Sequence, residues 1–143
     1  MKIIINRAEG RPRLKDEIAA ALGRAGLETE QERDKQQVLQ RIQEKFIKGP
    51  SKVWWVSLDR PWKTYNFPDN SGHLHIGRIV PGSGAVWLVT SEINEDKLVF
   101  SVPLHKIASV LGNCRLFEYY LVDKELTWIL SENFRGEIQL TRA

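Results

Sequence analysis

Phe117-Glu118-Tyr119-Tyr120-Leu121-Val122-Asp123-Lys124-Glu125-Leu126-Thr127-Trp128-Ile129-Leu130-Ser131-Glu132-Asn133 reads as two extended segments around a short polar turn. Aromatic, aliphatic and β-branched residues fill both arms, and Asp123-Lys124-Glu125 separates them. Two such arms joined so tightly must pair antiparallel. The stretch therefore predicts an antiparallel sheet with an aromatic-rich terminal hairpin. It names no reaction.

Upstream of this hairpin, Val53-Trp54-Trp55-Val56-Ser57-Leu58, Trp62 to Phe67, His73 to Val80, Ala85 to Ser91 and Lys97 to Val102 are expected to be extended. Asp59-Arg60-Pro61, Pro68-Asp69-Asn70-Ser71-Gly72 and Pro81-Gly82-Ser83-Gly84 supply the turns. Pro103 to Gly112 reads as a short helix, with Leu104, Ile107, Ala108 and Leu111 on one side. Gly136 to Thr141 adds a last strand. Before Pro50 the pattern is different. After a short strand over residues 2–6, Pro12 suits the first turn of a helix. Leu14, Ile18, Ala21, Leu22 and Ala25 then recur at helical spacing, and Gly26 is a C-terminal cap. A second helix is expected from Thr29, whose spacing to Glu32 is that of a capping box. Its apolar positions are Val38, Leu39, Ile42, Phe46 and Ile47, and Gly49-Pro50 stops it. Early acids and late bases along it complement the helix dipole. Helices followed by a run of strands give α+β: two N-terminal helices packed on one face of a twisted antiparallel β-sheet. The expected organisation is a single domain over 1–143, mainly helical in 1–50 and mainly strands in 51–143.

A chain of 143 residues has the size of one domain, and 42% hydrophobic with 27% charged residues is ordinary for a globular protein. No apolar run approaches the ~20 residues that span a bilayer. Met1-Lys2-Ile3-Ile4-Ile5-Asn6 is too short for a signal-peptide core. The single cysteine, Cys114, leaves no internal disulfide and no cysteine zinc cage, so the expectation is a cytoplasmic protein without cofactor. The net charge of +3 resides in residues 1–50, which hold 11 Lys/Arg against 8 Asp/Glu, while 51–143 hold 10 of each. That excess is too small and too mixed with acids to make a nucleic-acid arm.

Four constellations carry possible chemistry. His73 and His75, two apart in an extended stretch with Asp69 nearby, would share a sheet face and offer two metal ligands of the three or four needed. The bland alternative is a pair of surface histidines. Cys114 with His105 has the residue types of a nucleophile and base, but a lone cysteine among apolar residues is usually packing. Glu118, Asp123, Glu125 and Glu132 place carboxylates around the hairpin, where acid–base work requires environments that split their pKa values. Pro81-Gly82-Ser83-Gly84 lacks the Lys and the following helix of a phosphate loop. More informative are the aromatics. In Trp54-Trp55 and Tyr119-Tyr120, neighbours on a strand must face opposite ways. Outward rings beside Arg60 and Lys63 have the composition of an interface hot spot, or of a platform for single-stranded bases.

The hairpin residues Phe117-Glu118-Tyr119-Tyr120, Val122, Lys124, Trp128 and Glu132-Asn133 resemble an uncharacterised family of small bacterial proteins, a domain of unknown function. Val53 to Leu58 and Ala85-Val86-Trp87-Leu88 fit the same layout, so the resemblance covers mainly residues 50–140. Many such proteins resemble immunity proteins of bacterial toxin systems. The family often carries histidines after the Glu-Asn pair, where this chain has Phe134-Arg135. The resemblance implies an immunity-like protein and nothing more about function; the leading expectation is a non-catalytic module that binds another protein, a toxin, and neutralises it by occlusion. The expected contact residues are Trp55, Arg60, Trp62, Lys63, Tyr65 and Tyr120. The alternatives are a small metal-dependent hydrolase using His73 and His75, and a single-stranded nucleic-acid binder.

Overall fold

A computed structural model describes residues 13–49, 54, 58, 62–82, 84–90 and 97–143. In chain order these form α1 (Leu14–Arg24), α2 (Lys35–Phe46), β1 (Trp62–Asn66), two 3-10 turns (Pro68–Asn70 and Gly72–His75) and α3 (Ile76–Ile79). There follow β2 (Ala85–Thr90), β3 (Leu98–Pro103), a 3-10 turn (Leu104–Lys106), α4 (Ile107–Gly112), β4 (Tyr119–Asp123), β5 (Trp128–Glu132) and β6 (Glu137–Arg142). The strands make one sheet in the order β1-β6-β5-β4-β2-β3, antiparallel throughout. The fold is α+β. The expected strand over 2–6, the turn at 59–61 and most of the run over 53–58 lie outside the described residues. Of that run, Trp54 and Leu58 are described. Both are buried, and Leu58 forms an isolated antiparallel bridge with Ile47.

The central strands are apolar on both faces. Val86, Leu88, Phe100, Leu121, Leu130 and Leu140 point to one face, into a core shared with Leu14, Ile18 and Leu22 of α1, Ile76 of α3 and Ile107 and Val110 of α4. Val89, Val99, Val122 and Ile129 point to the other, into a second core with Val38, Ile42 and Phe46 of α2 and with Trp54. The two N-terminal helices therefore lie on opposite faces, not on one. The reason is the sequence of β2, β4 and β5. With apolar side chains at successive positions, either face left bare would expose a large hydrophobic surface.

How the chain passes from one face to the other is visible at the end of α1. Gly26, at φ 77°, closes the helix, with the N–H of Leu27 donating to Leu22 at 3.0 Å and that of Gly26 to Gly23 at 3.0 Å. This is the left-handed cap that favours glycine. The chain then runs past β3, and the N–H of Glu32 donates to the carbonyl of Val99 at 2.8 Å. That tertiary bond corrects the expected capping box. Residues 27–34 stay outside any helix, and α2 starts at Lys35 with no side-chain cap at Asp34.

The expected strand over His73–Val80 is also corrected: it is a 3-10 turn followed by α3. On a strand, Leu74 and Ile76 would share a face. Here Leu74 is 63% exposed and Ile76 is buried, while Ile76 and Val80, four apart, both enter the core. The burial period is helical. α4 packs on the Gly72–His75 turn and on α1.

Toward β1 the second face turns polar. Its cross-strand row runs Thr64, Gln139, Ser131, Tyr120, Val89, Val99. Gln139 and, one row away, Thr141 are buried, and among the described residues Gln139 Oε1 and Thr141 Oγ1 have no hydrogen-bond partner. A buried hydroxyl without a partner costs about 1–3 kcal/mol. Thr141→Val removes that oxygen at nearly constant shape. It should raise stability by about 1 kcal/mol, read as a higher urea midpoint at unchanged slope.

Candidate functional site

The register of the terminal hairpin places Tyr119 of β4 directly opposite Glu132 of β5, on the first face. The Tyr119 hydroxyl donates to Glu132 Oε1. Glu132 Oε2 lies against Gly72, close enough that a Cβ built on that glycine would stand 2.7 Å from it and 2.9 Å from Ile138 Cδ1. Gly72 thus admits a carboxylate that an alanine would crowd. Phe117 meets Tyr119 edge-on, with ring centroids 5.8 Å apart.

Around this pair opens a cleft of about 40 Å³, lined by Asn70, His73, Leu111, Arg115, Leu116, Phe117, Tyr119, Glu132, Asn133 and Phe134. Four segments converge to make it: the turns after β1, the end of α4, the approach to β4 and the β5–β6 turn. Asn133 shapes that last turn. Its Oδ1 accepts from the N–H groups of Arg135 at 2.9 Å and Glu137 at 3.1 Å, and Gly136 takes φ 77°. Local side-chain bonding of this kind is why Asn favours turns. Phe134 is thereby left at the tip, 69% exposed, and it lines the same cleft as Leu116, 64% exposed.

Charge in the cleft is uneven. Arg115 is held by Glu17 of α1, which accepts from its Nε at 3.0 Å and from its backbone N–H. Glu132 receives the Tyr119 hydroxyl, and among the described residues no cation pairs with it. Burial first, then the charge of Glu132 and its hydrogen bond, push the Tyr119 phenol well above its ordinary value near 10. Tyr119 is therefore a fixed proton donor at neutral pH and not a nucleophile.

The predicted site residues fall in different places. Trp55 and Arg60 lie outside the described residues. Trp62, 46% exposed, stands on the second face beside Thr141, whereas Lys63 and Tyr65 bracket the first face of β1. Tyr120 is buried against Trp54, ring centroids 5.2 Å apart, and so is not an outward contact. The four that are described do not form one surface. His73 and His75 also part. On a 3-10 turn, residues two apart point well away from each other. His73 lines the cleft, and His75 stacks on Phe67 at 4.0 Å and contacts Arg78 through Nδ1. Among the described residues, no three His, Cys, Asp or Glu side chains are grouped to hold a metal ion.

Cys114 donates to the carbonyl of Val110 at 3.3 Å, and His105 stands exposed on its own turn. Burial, then the charge of Glu17, push the thiol up to about 11, against the pull of Arg24 and Arg115. Of the four hairpin carboxylates only Glu132 lines the cleft. Asp123 ties the hairpin turn, accepting from the N–H groups of Thr127 at 2.6 Å and Trp128 at 3.1 Å. With Pro81, Gly82 and Gly84 it borders a wider groove of about 310 Å³ at the far end of the strands. The chain singles out His73, but for a metal pair with His75; it does not gather Arg115, Leu116 and Phe134 as site residues. The one signal for the last was the departure from histidine after Glu132-Asn133.

No protein-family model matches the chain, and no curated protein or solved structure gives a significant match.

Two titrations check this geometry. A raised phenol pKa stabilises the fold fully below pH 10, where folded and unfolded Tyr119 are both protonated, and that stability is lost as pH rises beyond 10. Unfolding free energy should therefore fall more steeply above pH 10 in the native protein than in Tyr119→Phe. The Cys114 thiol, raised from 9.0 to about 11, should react with a disulfide reagent at pH 8 about a hundredfold more slowly than a free cysteine peptide. Labelling at the peptide's rate would contradict its packing.

Proposed function

We propose that this chain is a protein-binding module that works by covering part of its partner, as immunity-like proteins do. The observation that carries the reading is the rim of the cleft. Among the described residues four large hydrophobic side chains are exposed: Trp62, Leu74, Leu116 and Phe134. Leu116 and Phe134 flank one cleft, and Leu74 adjoins His73 of the same cleft. Exposed apolar side chains around a small polar depression are the composition of an interface centre, where a few anchors carry most of the binding energy. The contact surface is accordingly the end of the sheet that carries the β5–β6 turn, and not the β1 residues that the sequence suggested. The resemblance of the hairpin supports the same end, since Phe117, Tyr119, Glu132 and Asn133 all line the cleft.

A second reading, single-stranded nucleic-acid binding, has its own observation. Tyr65, Phe67 and His75 stack within 7° of parallel, with Lys63 Nζ 5.3 Å from the Tyr65 ring and Arg78 against His75. Rings flanked by cations are the elements of a base-stacking platform. Their faces are already given to one another, which makes this the weaker reading.

The deciding experiment compares the native protein with the Leu116→Asp/Phe134→Asp double variant as baits in host lysate, with fold checked by circular dichroism. A stoichiometric protein captured by the native bait should be lost, or weakened by at least about a hundredfold, with the double variant, since hot-spot anchors cost 2 kcal/mol or more each. Equal capture by both baits would move the interface elsewhere. Salt-sensitive binding of single-stranded oligonucleotides that Lys63→Ala reduces would favour the second reading.

A further inference from the structure

We infer that the cleft is a receptor for one cationic side chain of the partner, a guanidinium or ammonium group seated on the Glu132 carboxylate. The inference rests on the protein-binding reading and adds the chemistry of the group that enters. Charge is the first argument. The positive group in the cleft, Arg115, is already matched by Glu17 at its Nε and backbone N–H. The negative group, Glu132, receives a neutral phenol and lies against Gly72, and among the described residues no cation pairs with it. An anion would enter a site whose fixed cation is neutralised and whose carboxylate repels it. A cation finds the complementary charge.

Geometry is the second. Glu132 is held from two sides, with Tyr119 on Oε1 and Gly72 against Oε2. A carboxylate offers about four lone-pair positions, and the phenol fills one. What remains is acceptor capacity on a carboxylate whose position is set before binding, which a guanidinium or ammonium group can use. The high phenol pKa leaves Tyr119 a donor, so it does not compete as an anion.

The walls and the size agree. Phe117, Tyr119 and Phe134 are aromatic lining residues of the kind a cation favours, and Leu111 and Leu116 suit the apolar stem of a long basic side chain. A space of about 40 Å³ takes the head of one side chain, far below the ~300 Å³ of a typical small-molecule site.

The test is an NMR titration of the native, isotopically labelled protein with N-acetyl-argininamide and, separately, with N-acetyl-citrullinamide, which has the same shape without the charge. Arginine should shift the amides of Gly72, Glu132 and Phe134 saturably. Citrulline should bind at least about tenfold more weakly, as expected for loss of a charge-assisted hydrogen bond. Glu132→Gln, which keeps an acceptor for Tyr119, should weaken arginine by a similar factor. Equal responses to the two probes, or arginine shifts that avoid these residues, would overturn the inference on the native protein alone. If the arginine probe fails while the Leu116/Phe134 variant still loses its protein, the cation receptor falls and the interface stands. If the probe binds but that variant keeps its protein, the interface reading falls, and with it the partner as the source of the cation.

Discussion

Everything in this molecule depends on the two-sided apolar character of β2, β4 and β5. Leu88, Leu121 and Leu130 face one way, and Val89, Val122 and Ile129 the other, all of them buried. At roughly 25 cal/mol per Å² of apolar surface, a bare face would forfeit far more than any single helix contact supplies. Both faces must be roofed. α1, α3 and α4 roof one and α2 the other, and the chain between α1 and α2 is bound to pass the β3 edge. The bond from Glu32 to Val99 fixes that passage.

The same arrangement makes the cleft. α4 and the turns after β1 cover the first face over its middle, and where they meet the β5–β6 turn they leave the cleft open. At that margin the last cross-strand pair, Tyr119 and Glu132, is polar. The pair sits between a dry core and the surface, which is why the phenol is forced to keep its proton while the carboxylate remains reachable from the cleft. Hydrophobic rim and polar floor are therefore two consequences of where the roof ends. Where the roof continues, the groups that carry reactivity are quiet. Cys114 is half-buried against α4 and α1, and Asp123 is consumed by its own turn.

Local chemistry was legible wherever it acts over a few residues. The helix over Leu14–Arg24 with its glycine stop, the short helix before Gly112 and the strands of the hairpin follow from spacing and turn residues in the chain. Two expectations failed because a distant partner outweighed a local signal. Thr29 and Glu32 have capping spacing, yet the backbone of Glu32 goes to β3. His73 to Val80 has an apolar content that suits a strand, yet the first core takes up Ile76 and Val80 at helical spacing. The aromatic pairs illustrate the same limit. Alternation shows that Tyr119 and Tyr120 diverge. It does not show that both will be covered, because that depends on where α2 and Trp54 lie.

By itself, then, the sequence determined the α+β class, the order of most elements and the register of side chains along each strand, since these rest on periodicity and on turns closed within a few residues. The distribution of helices over the two faces, the meeting of Gly72 with Glu132 and the gathering of Leu116 and Phe134 at one cleft were decided only by tertiary structure. Each joins residues far apart in the chain, and side-chain period carries no information about which distant surface will be brought against it.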